Sequence, residues 1–175
     1  MDDLESLVSL CPPPVAGAKC HASIDEQRGG VPEDHRRLIS TYGAGCFDEF
    51  LWIYGDVDSN PNLDIRTRAA AARSDLATYG GRHFQARLDG LGISVEDLSK
   101  WGATDNGDWL LWVTTGSPDS WSTLILEVRQ RDLLLVPRTS TRVILDLLTG
   151  GLVTSIFPDD FPSRQPSFSA RPPVG

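Results

Sequence analysis

The sequence predicts an α+β fold in one domain, with a mixed or mainly antiparallel sheet packed by helices. Two observations carry that prediction. Strand-like runs group between residues 109 and 137 with helical periodicities before and after them, so the elements read α, β, α, β, β, β, α rather than a repeating βαβ chain. A chain of 175 residues that is 40% hydrophobic and 23% charged also has enough apolar surface for one packed core.

Residues 2–10 predict a short helix, stopped by Cys11-Pro12-Pro13-Pro14 because proline lacks the N–H and clashes with a preceding helical turn. Residues 11–30 read as an irregular connection, which sets residues 1–30 apart as an extension and linker. Pro32 with two acids behind it, Arg36 and Arg37 further on, and Gly43 past the last apolar position predict a capped helix over 32–42, with Leu38, Ile39 and Tyr42 inward. The aromatic and β-branched run from Cys46 to Tyr54, closed by the turn-forming cluster Gly55 to Pro61, predicts one strand. Its apolar residues fall on both faces, Phe47, Leu51 and Ile53 on one and Phe50, Trp52 and Tyr54 on the other. The sheet is therefore expected to be covered on both sides.

Ile65, Ala69, Ala72, Leu76 and Tyr79 recur at spacings of three and four, an amphipathic helix that ends near Gly80-Gly81. Residues 82–100 read as either helix or loop. Trp109–Thr114 and Ser122–Val128 are apolar runs of strand length joined through Gly116 to Ser120, an antiparallel pair, and Leu133–Pro137 adds a third strand. Thr139 or Ser140 caps a helix with the stripe Val143, Ile144, Leu147 and Leu148, ended by Gly150-Gly151. The Pro- and Ser-rich stretch after Pro158 predicts a mobile tail over 163–175, leaving 31–162 as the domain.

Charge and cysteine usage narrow the function. The N-terminus is acidic and no apolar run approaches the roughly 18 residues that span a bilayer, so a cytoplasmic protein without a membrane segment is expected. Cys11, Cys20 and Cys46 are odd in number and lack paired spacing, which favours reduced thiols over disulfides or a zinc site. A formal charge of -8 argues against nucleic acid and for a basic protein partner. Residues 66–88 run against that balance, with Arg66, Arg68, Arg73, Arg82 and Arg87 against Asp75 alone; a solvated helix face is the simplest account.

Catalytic templates are missing. The turn in WGATDNGDWLLW, residues 101–112, offers Asp105, Asn106 and Asp108 as oxygen ligands, but an EF-hand register with Gly107 at position 6 places Gly102 at position 1 and Val113 at position 12. The same residues suit a tight turn, since Asn-Gly tolerates positive φ. No nucleophile elbow, zinc helix or phosphate loop occurs, and His21, His35 and His83 lie in separate segments, each most simply a surface residue. No catalytic, cofactor or metal residue is assigned. Aromatic anchors and surrounding acids remain as partner-binding candidates: Trp52, Asp56, Asp58, Asp105, Asp108, Asp119 and Trp121. Trp109 and Trp112 lie an odd number of residues apart, so one strand would point them to opposite faces.

The order of VPEDHRRLISTYGAGCFDEFLWIY, then WGATDNGDWLLW with Gly107-Asp108 and Trp112, then Pro118-Asp119 with Trp121, then TSTRVILDLLTG resembles the SUKH superfamily over Val31 to Pro162. That superfamily includes fungal cell-wall-synthesis regulators and bacterial immunity proteins. The resemblance implies an α+β fold, no catalysis, and protein binding, in bacterial relatives commonly to neutralise a toxin that is often a nuclease. It implies no fixed catalytic set, and residues 80–100 and the extension through Gly30 depart from it. A non-catalytic immunity protein, monomeric and blocking a basic toxin domain, is the leading expectation. A regulatory scaffold in cell-wall or signalling assemblies is the alternative, and a metal-assisted hydrolase built on Asp105 and Asp108 is the third.

Overall fold

A computed structural model describes residues 1–15, 30–57, 60–127 and 132–170. Cys20, His21, Asp58, the Tyr79 side chain and residues 171–175 lie outside the described residues. Among the described residues five α-helices pack on one antiparallel sheet of seven strands, an α+β architecture. The helices are α1 (Asp3–Leu10), α2 (Glu33–Tyr42), α3 (Ile65–Tyr79), α4 (Arg82–Gly90) and α5 (Ser140–Thr149). The strands are β1 (Gly45–Phe47), β2 (Leu51–Ile53), β3 (Leu98–Thr104), β4 (Trp109–Val113), β5 (Ser122–Glu127), β6 (Asp132–Val136) and β7 (Phe168–Ala170). Their order across the sheet is β6-β5-β4-β3-β2-β1-β7, a meander through six strands with the last returning beside β1. No helix among the described residues is long and apolar enough to cross a membrane.

Two apolar layers cover the two faces, as the two-sided apolar runs predict. One holds Leu7 of α1, Leu38, Ile39 and Tyr42 of α2 and Val143, Ile144, Leu147 and Leu148 of α5, packed on Leu110, Trp112 and Ile125 of the sheet. The other holds Leu76 of α3 and Phe84 and Leu88 of α4 against Leu98, Leu111, Leu124 and Leu126. Alternation along β4 divides its side chains between them: Leu110 and Trp112 face the first, Leu111 and Val113 the second. Trp112 is buried and Trp109 half-buried on the opposite face.

Several elements differ from the expectation. The run Cys46–Tyr54 is a hairpin of β1 and β2, not one strand, with Asp48 and Glu49 at φ 50 and 54 in the tight turn. Residues 82–100 resolve into α4, a one-turn 3-10 helix Val95–Asp97, and the start of β3. Residues 1–10 belong to the core, since Leu7 is fully buried and Asp2 and Glu5 form a reciprocal capping box at the start of α1. The stretch expected to form a mobile tail carries β7, hydrogen-bonded to β1. Gly45 permits that pairing, because a Cβ there would lie 2.4 Å from the Ser169 carbonyl oxygen and 2.7 Å from the Phe168 ring.

His35 is a further correction, being fully buried rather than on the surface. Its Nε2 lies 2.8 Å from the Tyr54 carbonyl and its Nδ1 3.1 Å from Ser140 Oγ. The carbonyl can only accept, so Nε2 donates to it; Ser140 Oγ lies between Nδ1 and the Asp34 carboxylate, to which its hydroxyl donates at 3.2 Å. Burial holds the imidazole below its ordinary pKa, against the Tyr54 carbonyl and the Asp34 carboxylate, which favour the proton. Trp101 and Trp112 meet the ring edge-on at 5.7 and 4.9 Å. Although Ser140, His35 and Asp34 are catalytic residue types, both Ser140 and His35 are sealed from solvent. The cluster is a polar joint between α2, the residue that follows β2, and α5.

Candidate partner-binding surface

The hairpin between β1 and β2 builds a surface where two of the candidate residues meet. Two consecutive non-glycine residues at positive φ cost roughly 1–3 kcal/mol each. Asp48 offsets this: its carboxylate accepts the Ser163 N–H at 2.9 Å, the Ser163 hydroxyl at 3.1 Å and the Ser167 N–H at 2.8 Å, while its own N–H donates to the Ser167 carbonyl at 2.9 Å. The turn leaves Phe50 half-buried, with its ring 4.7 Å from Phe161 and 5.7 Å from Phe157. Phe157 and Phe161 are themselves 5.9 Å apart, edge to face.

The neighbouring hairpin joins this cluster through its turn. Asp105 donates its backbone N–H to the Phe50 carbonyl at 3.0 Å, and its Oδ1 accepts the Trp52 indole N–H at 2.6 Å. The half-buried rings of Phe50, Trp52 and Phe161 therefore share one region with exposed Asp105, and Glu49 and the pair Asp159 and Asp160 are exposed beside them in sequence. Aromatic surface supplies affinity once a partner excludes water, and carboxylates around it favour a basic partner and speed its approach.

The six candidates that lie among the described residues separate accordingly. Trp52 and Asp105 come together. Asp56 lies elsewhere, ion-paired to Arg66 at 3.3 Å, which also balances part of the arginine run. Asp119 is exposed but accepts the Glu33 backbone N–H at 2.8 Å, serving the start of α2. Asp108 is only 2% exposed and accepts the Thr104 hydroxyl at 2.6 Å, closing the turn from inside. Trp121 is buried as well, with its indole N–H on the Gly116 carbonyl at 3.2 Å and its ring 5.9 Å from Trp112. Asp105 and Asp108 thus point to different environments and share no ligand position. Among the described residues no group of three or more His, Cys, Asp or Glu is placed to hold a metal ion.

Phe50, Phe157, Asp159 and Phe161 were not candidates from sequence. The signal available was Phe157-Pro-Asp-Asp-Phe-Pro162, an acid pair between two aromatic residues, which falls where composition reads as the approach to a tail.

A second uncommon side chain sits on the opposite face of the sheet. Lys100, 3% exposed, directs its ammonium at the Trp109 ring, 4.3 Å from the centroid, and lies 5.9 Å from that of Tyr54. Desolvation, and next the nearby Arg68, push the amine down to about 7, with Asp75 opposing weakly. Arg68 lies over the same Tyr54 ring at 5.7 Å. Comparison with family models, with curated proteins and with solved structures finds no match for this chain.

Proposed function

We propose that the chain is a non-catalytic immunity protein that binds a basic toxin domain and occludes its active surface. The observation that carries this reading is the Trp52–Asp105 pair beside the Phe50, Phe157 and Phe161 cluster, apolar area bordered by carboxylates on an acidic chain. The resemblance of the motif order to the SUKH superfamily supports it, and so does the sealed state of the Ser140–His35 cluster, which offers a substrate no approach. A nuclease is a fitting target, because a surface that holds phosphates is basic and an acidic face competes for it.

The test is to mix the chain with the toxin domain encoded beside it and to express both in a sensitive cell. A complex at micromolar concentration, inhibition of the toxin and rescue of the cell are the expected results, with Trp52→Ala weakening all three. No complex together with no rescue would overturn the reading.

A further inference from the structure

Next to the aromatic cluster, a groove of about 160 Å³ runs between the C-terminal end of α5 and the Phe157–Pro162 stretch. Leu147, Gly150, Leu152, Phe157, Asp159 and Phe161 are among its walls. Ligand and cofactor sites are commonly about 300–1,000 Å³, so this volume suits a single side chain better than a cofactor.

Its electrostatics favour a cation on an apolar stem. The negative end of the α5 dipole lies at the groove, where Gly150 adopts φ 76 to end the helix, and α5 has no basic residue in its last turn to balance it. Asp159 adds a carboxylate, and the aromatic rings of Phe157 and Phe161 line the same groove. A neutral apolar group would fill the walls and leave the carboxylate unanswered, while an anion would meet it directly. Between the two basic side chains, arginine fits better: its guanidinium is planar, weakly hydrated and able to stack on a phenyl ring while pairing with a carboxylate.

We propose that this groove receives an arginine side chain of the protein that docks on the adjoining aromatic and acidic surface, an inference that rests on the partner-binding reading above. The insertion would place a charged anchor at the centre of the contact, with Phe50 and Trp52 beside it excluding water.

Titration of the full chain with N-acetyl-arginine amide, followed by amide NMR, tests it. Saturable shifts at Gly150, Val153 and Phe161 are expected, with the norleucine analogue binding about tenfold more weakly because it lacks a charge-assisted hydrogen bond. Asp159→Asn should cause a similar loss; Asp159 is exposed, so the substitution leaves the core packing untouched. Equal binding of the norleucine analogue, an unchanged Asp159→Asn titration, or no saturable shift would each overturn the assignment. The probe needs no partner, so its failure with an intact toxin complex sinks the groove alone. A lost complex with an intact arginine titration sinks the partner reading.

Discussion

Asp34 accepts the backbone N–H of Thr141 at 2.9 Å, so a side chain of α2 caps the first turn of α5 across 107 residues. Thr139, the residue in the N-cap position, makes no side-chain cap bond of its own. Asp34→Ala should therefore cost about 1–2 kcal/mol, the usual loss of a helix cap, while Thr139→Ala should cost no more than about 0.5 kcal/mol. Urea midpoints of the two variants decide this; an equal loss in both would refute capping in trans.

Lys100 makes stability depend on pH. In the unfolded chain its amine has the ordinary lysine value of 10.5, against about 7 in the fold. Between those values the unfolded state binds more protons, so stability rises as pH climbs from 7 to 10.5, and below 7 the full cost of burying the ammonium is present. Lys100→Met retains the stem and removes the charge. The variant should be more stable than the parent at pH 6, by at least about 1 kcal/mol on the precedent of buried ionic groups replaced by apolar ones, and the gap should close toward pH 10. A gap that does not change with pH would contradict this account.

Asp48 anchors the approach to the last strand, in addition to the pairing of β7 with β1. Asp48→Ala removes three side-chain acceptor bonds to residues 163–167 and should raise amide exchange through Phe168–Ala170 by at least tenfold. Gly45→Ala should do the same by collision with Ser169 and Phe168. Unaltered exchange in both variants would mean that β7 is held by other contacts.

Asp105 and Asp108 are three residues apart with opposite roles. Asp108→Ala leaves the buried Thr104 hydroxyl without its 2.6 Å acceptor and should destabilise by about 1–3 kcal/mol. Asp105→Ala should change stability by less than about 1 kcal/mol and weaken toxin binding severalfold. Thermal melts and binding titrations on both variants test the division, and a reversed pattern would reject Asp105 as a contact residue.

The edge strand β6 is blunted. The Leu133 N–H donates to the Asp132 carboxylate at 2.8 Å, its carbonyl accepts from Arg87 at 3.3 Å, and Arg87 and Asp132 pair at 2.9 Å. With both Leu133 backbone groups satisfied by side chains, an incoming strand gains less at this end of the edge. The double variant Arg87→Ala, Asp132→Ala should self-associate at concentrations where the parent sediments without concentration dependence; identical sedimentation would show that these residues do not guard the edge.

Much of the scaffold was legible because periodicity reports local burial. The stripes of α2 and α5, the alternation that sends Trp109 and Trp112 to opposite faces, and the apolar runs of β4 and β5 all follow from the 3.6 and 2.0 repeats of helix and strand. The candidate surface was legible only at Trp52 and Asp105, aromatic and acidic residues of the kind that mark interfaces. Their neighbours Phe50, Phe157 and Phe161 come from two segments more than a hundred residues apart, and no short-range pattern links them.

The α+β class, the helix faces and a sheet covered on both sides are therefore written in local periodicity. The tertiary structure alone decided that Cys46–Tyr54 folds back on itself. Its turn residues, Asp48 and Glu49, carry no glycine or asparagine signal, and their positive φ is sustained by hydrogen bonds from Ser163 and Ser167, 115 and 119 residues away. Long-range contact likewise hid β7 and the burial of His35, which meets Ser140 across 105 residues. Each depends on which remote segment arrives next to it, and the free energy of such contacts is shared between segments rather than written in either one.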